Sequence, residues 1–147
     1  ANPVFGVHGP SGEGKSALLA QFASEYGKLR PGVHVITHFV GCAPNSADVR
    51  HTLHRLCEEL KKRFELLEEI PDEYKELRQT FARFLDLASL TGRVLVVIDG
   101  LNQFTDANRP QSLDWLPAKS SARIVVSTES DSTSHRALQY RKSELLE

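Results

Sequence analysis

The chain has no methionine, a single tryptophan, two cysteines and no excess of charge of either sign. Each shortage excludes something. No stretch approaches the about 18 to 20 consecutive apolar residues that span a bilayer, and nothing in the opening residues leads one to expect a secretory leader. Lys plus Arg (18) nearly cancels Asp plus Glu (19), so no global field draws nucleic acid or a membrane surface. Local clusters such as Lys61-Lys62-Arg63 run straight into acids, as on a solvated helix face. Cys42 and Cys57 fit no metal or redox spacing; two buried or half-buried thiols in a reducing cytosol are expected, hence a cytoplasmic location. A chain without methionine that enters an apolar strand within a few residues of Ala1 is expected to be a fragment of a longer multidomain protein.

What remains is ordinary globular material. The 147 residues, 40% hydrophobic and 25% charged, suit one domain spanning 1–147. Residues 4–7 read as a short buried strand, followed by a helix over about 15–26 with Leu18, Leu19 and Phe22 on its apolar side and Gly27 near its stop. The β-branched run at 34–40 is a second strand. Ser46 or Asn45 is expected to cap a long helix whose apolar positions are Val49, Leu53, Leu56, Leu60, Phe64 and Leu67. Pro71-Asp72 restarts a further helix carrying Leu77, Phe81, Phe84 and Leu85. Strands at 94–98 and 123–128 follow, with a short helix and loop between them, and residues from 134 onward read as a last helix. Strands alternating with helices predict an α/β sandwich with a mostly parallel sheet.

Between the first strand and the first helix lies Gly9-Pro10-Ser11-Gly12-Glu13-Gly14-Lys15-Ser16, a G-x-x-x-x-G-K-S pattern. By average composition it arises by chance in roughly one in two hundred chains of this length. Its strand-before, helix-after context is that of a phosphate-binding loop, or Walker A motif. Glycines let backbone N–H groups turn inward around phosphates, and the helix N-terminus adds partial positive charge. Lys15 is expected to reach the β- and γ-phosphates, and the Ser16 hydroxyl to ligate Mg²⁺. The backbone of Gly12, Glu13, Gly14, Lys15 and Ser16 would wrap the phosphates, with Gly9, Pro10, Ser11 and Ala17 beside it.

Asp99 ends the apolar run 94–98, at the crevice of an open sheet, where an acid can hold Mg²⁺ through water. Alone, an apolar run ending in Asp-Gly is equally an ordinary strand exit. Ser127, at the tip of the fourth strand, could sense a γ-phosphate or simply end the strand. His8 is similarly open between a phosphate contact and a strand end. His51 and His54 lie three apart on a helix with no third ligand and read as solvated.

Some nucleotide machines are excluded by motif. There is no Asn-Lys-x-Asp to read guanine and no Leu-Ser-Gly-Gly signature. The string GPSGEGKS is similar to the loop of guanylate kinases, but their arginine-rich substrate segment does not follow. The phosphate loop, the strand end His38-Phe39-Val40-Gly41-Cys42, the helix over 55–64 (RLCEELKKRF), the VVIDG strand and the RIVVST strand together resemble NACHT domains of the STAND class of P-loop NTPases, in a repeat-bearing subgroup. The resemblance runs from Val4 to about Asp131.

That resemblance implies a three-layer sandwich with sheet order 5-1-4-3-2, of which this chain would supply strands one to four. It implies an ATP-dependent (or GTP-dependent) switch that works with flanking winged-helix and repeat domains, protein partners and nucleotide-dependent oligomerisation. Two departures bear on hydrolysis. Many NACHT domains continue Asp-Gly-x-Asp-Glu after the third strand, and here those positions are Asn102 and Gln103. An amide holds water but does not take its proton. Catalysis would then rest on Lys15, Asp99 and whatever Gln103 can do, with Asp106 or Glu129 as possible substitutes. Relatives also often carry an arginine after the fourth strand, where this chain has Thr128-Glu129. Slow or impaired ATP hydrolysis is expected. The alternatives are a small phosphotransferase, whose lid could draw only on Arg136 and Arg141, and a scaffold with a vestigial nucleotide site.

Overall fold

The computed structural model describes residues 3–10 and 14–146, with side chains through 141. Strands β1 (Val4–Gly9), β2 (Val33–Phe39), β3 (Arg93–Asp99) and β4 (Arg123–Glu129) form one sheet in the order β1-β4-β3-β2. Every pairing is parallel. This is the 1-4-3-2 portion of the expected order. Because side chains alternate along a strand, β3 divides its run between two layers. Val94, Val96 and Ile98 face helices α2 (Val49–Phe64) and α3 (Tyr74–Ser89), whereas Leu95 and Val97 face α1 (Lys15–Leu29). Helix α4 (Thr133–Leu146) joins the α2/α3 layer through Ala137 and Leu138. The result is the α/β sandwich anticipated from the pattern, with the three layers that the resemblance implied.

The α2/α3 layer carries most of the core. Leu53, Leu56, Leu60, Leu77, Phe81, Phe84 and Leu85 are fully buried, each worth about 1.5 to 3 kcal/mol relative to exposure. Their three-and-four spacing gives both helices one apolar stripe, and the two stripes close on the Val94-Val96-Ile98 face of the sheet.

Several sequence expectations shift. Phe5 on β1 is not buried: it is 68% exposed on the face that α1 covers only through Leu19 and Ala23. Leu18 and Phe22 do not enter the core; α1 touches the sheet along Leu19 and Ala23, and its buried stripe is narrow. Gly27 does not stop α1, which continues to Leu29 and ends before Pro31, whose ring bars a further turn. The cap of α2 is Asp48, whose carboxylate accepts from the His51 N–H at 2.9 Å. Ser46 instead pins the preceding turn through Ala43, donating to its carbonyl and accepting from its N–H. Glu65 takes a left-handed conformation and ends α2, leaving Leu67 95% exposed. Cys57 is buried, which pushes its thiol pKa up to about 12, but Cys42 is exposed. The segment after β3 contains two short 3-10 turns, Leu101–Gln103 and Pro110–Ser112. Trp115 is buried beneath them and donates Nε1–H to the Pro110 carbonyl.

The end of β2 is locked to α2 by His38, which is 5% exposed. Its Nε2–H donates to the Ser46 carbonyl (2.9 Å), while Nδ1 accepts from Arg55 Nη2 (3.1 Å). The Arg55 bond needs the neutral ring, whose Nδ1 has a lone pair to accept with, whereas the Ser46 bond survives protonation. Burial lowers the imidazole pKa below its usual 6.5; the Ser46 bond opposes this and the Arg55 charge adds to it. The unfolded chain therefore takes a proton at His38 before the folded one does. Stability from this group is present above the unfolded pKa and is lost as pH falls through it towards the folded value. Urea midpoints should drop as pH falls through the usual imidazole value of about 6.5, and less steeply in His38→Gln, which keeps the donor to Ser46. Parallel profiles for the two proteins would contradict this account.

Candidate functional site

Three strand tips converge at the C-terminal end of the sheet. β1 delivers Gly9, β3 delivers Asp99 and β4 delivers Ser127. Asp99 and Ser127 become neighbours because Ile98 pairs with Val126, so each adjacent strand ends its apolar run in a polar residue at the same level. The Asp99 side chain is almost enclosed, with the residue 5% exposed. Ser16 Oγ donates to its Oδ2 and Ser127 Oγ donates to its Oδ1, both at 2.5 Å. Ser127 Oγ in turn accepts the Gly100 N–H at 2.9 Å. One carboxylate thus joins the start of α1 to the tips of β3 and β4.

Lys15 is the first residue of α1, and Gly14 before it has a φ of 76°, a left-handed conformation that favours glycine. A Cβ on Gly14 would meet nothing within 4 Å, so the backbone angle and not crowding requires glycine there. The Lys15 ammonium donates to the carbonyls of Gly9 (3.0 Å) and Pro10 (2.7 Å). It has no carboxylate partner among the described residues, so its charge is met only by dipoles. Ala17 follows within the first turn of α1, where the Leu18 N–H bonds to the Gly14 carbonyl. Ser11, Gly12 and Glu13 lie outside the described residues.

The AAA ATPase domain family matches residues 2–126, which include all of this apparatus up to the middle of β4. The chain belongs to the AAA ATPase domain family. It is 33% identical, over 86% of its length, to the NACHT and WD repeat domain-containing protein 2 of Mus musculus, covering 8% of that protein. It is 27% identical, over 98% of its length, to a TPR repeat-containing protein of Dictyostelium discoideum, covering 11% of it. It is 29% identical, over 90% of its length, to telomerase protein component 1 of Mus musculus, covering 5%. The chain therefore spans about a tenth or less of the length of these relatives. The likeness to NACHT proteins read from the residues is borne out.

Within this AAA ATPase domain the remaining candidates separate. Asn102 Oδ1 accepts the Glu129 N–H at 3.1 Å, tying the exit of β3 to that of β4. Gln103 is exposed and its carboxamide lies across two left-handed glycines: an added Cβ would come 3.2 Å from its Oε1 at Gly41 and 3.3 Å from its Nε2 at Gly100. Asp106 is exposed, and neither it nor Glu129 bonds to Asp99 through its side chain. His8 Nδ1 lies 3.0 Å from Ser130 Oγ, and its ring packs against His135 at 4.1 Å. His51 and His54 neighbour Asp48 and Glu58, and no group of three metal-type side chains occurs among the described residues.

Two features escaped the sequence. Gly41 belongs to the slot that seats Gln103, and a glycine flanked by Val40 and Cys42 offers no clue to that. Thr128 Oγ1 sits 2.6 Å from Ser134 Oγ and 2.9 Å from Ser132 Oγ, a hydroxyl cluster under the β4 tip. The serine-rich stretch 130–134 was its only signal.

Ser127→Ala removes a donor from Asp99 and an acceptor from Gly100 at once, in a buried setting. A stability loss of about 1 to 3 kcal/mol is expected by urea unfolding. An unchanged midpoint would mean that water or another donor replaces the hydroxyl at no cost.

Proposed function

We propose that this domain binds Mg²⁺–ATP and serves as a regulatory switch in a larger cytoplasmic protein, hydrolysing the nucleotide slowly. One observation carries the reading: Asp99 and Ser16 share a hydrogen bond beside a lysine whose ammonium rests on loop carbonyls. The donor set suits a hard cation, because it offers a carboxylate oxygen and a hydroxyl and cannot complete a shell without ligand oxygens. Mg²⁺ bound there would neutralise charge on the β- and γ-phosphates. Ser16 and Asp99 would hold it, Lys15 would exchange its two carbonyls for phosphate oxygens, and the 9–17 backbone would wrap the phosphates. Ser127 would then act through Asp99, fixing one carboxylate oxygen so that the other faces Ser16.

Slow turnover follows from what surrounds Asp99. The Asn102 amide oxygen is occupied by the Glu129 N–H, and Gln103 carries no charge. No second carboxylate bonds into the cluster among the described residues, so nothing there is suited to take the proton of an attacking water. The phosphotransferase alternative draws no support from its two arginines. Arg136 donates to the Asp131 carbonyl, and Arg141 to the carbonyls of Leu113, Leu116 and Pro117, so both are engaged in holding loops.

The names of two relatives carry TPR and WD repeats. By analogy, residues 1–147 would form the nucleotide core, flanked by winged-helix and repeat domains that select protein partners and couple nucleotide state to oligomerisation.

Calorimetric titration of Mg–ATP into the wild-type chain and into Lys15→Ala tests the binding claim. A loss of about 10- to 100-fold is expected for one charge-assisted contact; equal affinities would favour the vestigial scaffold. Gln103→Glu should raise a slow hydrolysis rate by at least about tenfold. An unchanged rate in a variant that still binds ATP would show that the missing carboxylate is not the limit.

A further inference from the structure

At the opposite end of the sheet, about 20 Å along the strands from Asp99, cations gather without partners. Arg93 opens β3 and Arg123 opens β4; Leu95 pairs with Arg123, so the two arginine Cα atoms stand about 8 Å apart by register. Both share the parity of Leu95, Val97 and Val125, which pack on the α1 side, so both arginines project to that side. There they line a cleft of about 300 Å³ with Tyr26, Ser89 and Ser121. A shallower depression continues past Ser121 and Arg123 to Lys119. Arg30 adds a fourth cation, its guanidinium 4.5 Å above the Tyr26 ring.

Among the described residues Arg93, Lys119 and Arg123 make no side-chain hydrogen bond or ion pair, and Asp86 is the one carboxylate lining either hollow. In a chain of net charge −1, this end is locally and strongly positive. Two exposed leucines stand near its lining residues in sequence. Leu29 lies one turn beyond Tyr26 and is 75% exposed; Leu90 follows Ser89 and is 80% exposed.

We propose that this cleft is a docking site for an acidic peptide segment in which carboxylates alternate with apolar side chains. Paired guanidinium groups at this spacing suit carboxylate oxygens, which each can meet with two parallel N–H donors. Leu29 and Leu90 give the intervening apolar side chains an exposed surface. A nucleic acid is a poorer fit, because Tyr26 is the one aromatic side chain lining the cleft and offers no series of rings on which successive bases could stack. A bilayer is a poorer fit as well. The arginines sit in a concavity, and the two leucines belong to separate helix ends and form no continuous apolar face. The site is independent of the nucleotide reading, being at the far end of the strands.

Fluorescence anisotropy with a fluorescein-labelled peptide of alternating glutamate and leucine tests this on the full chain. The wild type should bind it with an affinity that falls as salt rises. The double variant Arg93→Glu/Arg123→Glu should bind about tenfold or more weakly, and a peptide with glutamine in place of glutamate should not bind. Leu29→Ser/Leu90→Ser, which touches no charge, should weaken binding without altering its salt dependence. Mg–ATP should not displace the peptide. Absent binding, equal affinity in the arginine variant, or displacement by Mg–ATP overturns the proposal. So does sedimentation of the chain with phosphatidylserine-containing vesicles in place of peptide binding.

Discussion

A carboxylate enclosed at the tip of a buried strand has to be stabilised by something, since removing it from water is costly unless hydrogen bonds replace the lost hydration. At Asp99 the replacement is two serine hydroxyls, one from α1 and one from β4. No cation stands within ion-pair distance of it among the described residues. The consequences spread outward. α1 must begin where Ser16 can reach Oδ2. β4 must lie between β1 and β3, which is the observed order. Gly100 must leave β3 in a left-handed turn so that its N–H returns to Ser127.

The same end of the sheet shows how little else is charged. Lys15 rests on carbonyl dipoles, Asn102 is spent on the β4 exit, and Gln103 lies across Gly41 and Gly100. Such an arrangement suits the proposed binding of a phosphate-bearing ligand with a cation, and among the described residues no second carboxylate bonds into it. In the proposed switch, that imbalance is what would let a bound nucleotide persist long enough to report on its presence.

Sequence reasoning succeeded where backbone chemistry leaves few options. A glycine at position 14 before Lys15-Ser16, a β-branched run closed by Asp99 and stripes spaced by three and four in α2 and α3 each admit essentially one local structure. It failed where burial depends on what lies alongside. Phe5, Leu18 and Phe22 look like core residues, but α1 rests on the sheet through the narrow stripe of Leu19 and Ala23, which leaves all three exposed. Leu67 fits the α2 periodicity, yet the helix ends three residues earlier at Phe64. Ser46 and Asp48 are both good caps; only the turn at Ala43 decides between them. The pairing of Ser127 with Asp99 was nearly legible, since the apolar runs 94–98 and 124–126 each end in one polar residue. Sheet order, which a local pattern does not encode, was needed to make them neighbours.

If Asp99 is kept for a ligand cation and not for the fold, replacing its charge should separate the two. The decisive measurement is thermal unfolding of Asp99→Asn beside the wild type, each alone, with ATP, and with Mg²⁺–ATP. The account predicts that Asp99→Asn without ligand is as stable as the wild type or more so, by up to about 1 to 3 kcal/mol, because a buried charge is removed while its hydroxyl partners remain. It also predicts that the extra stabilisation given by Mg²⁺ over ATP alone disappears in the variant. An unstable variant, or one that keeps the full Mg²⁺ increment, would contradict it.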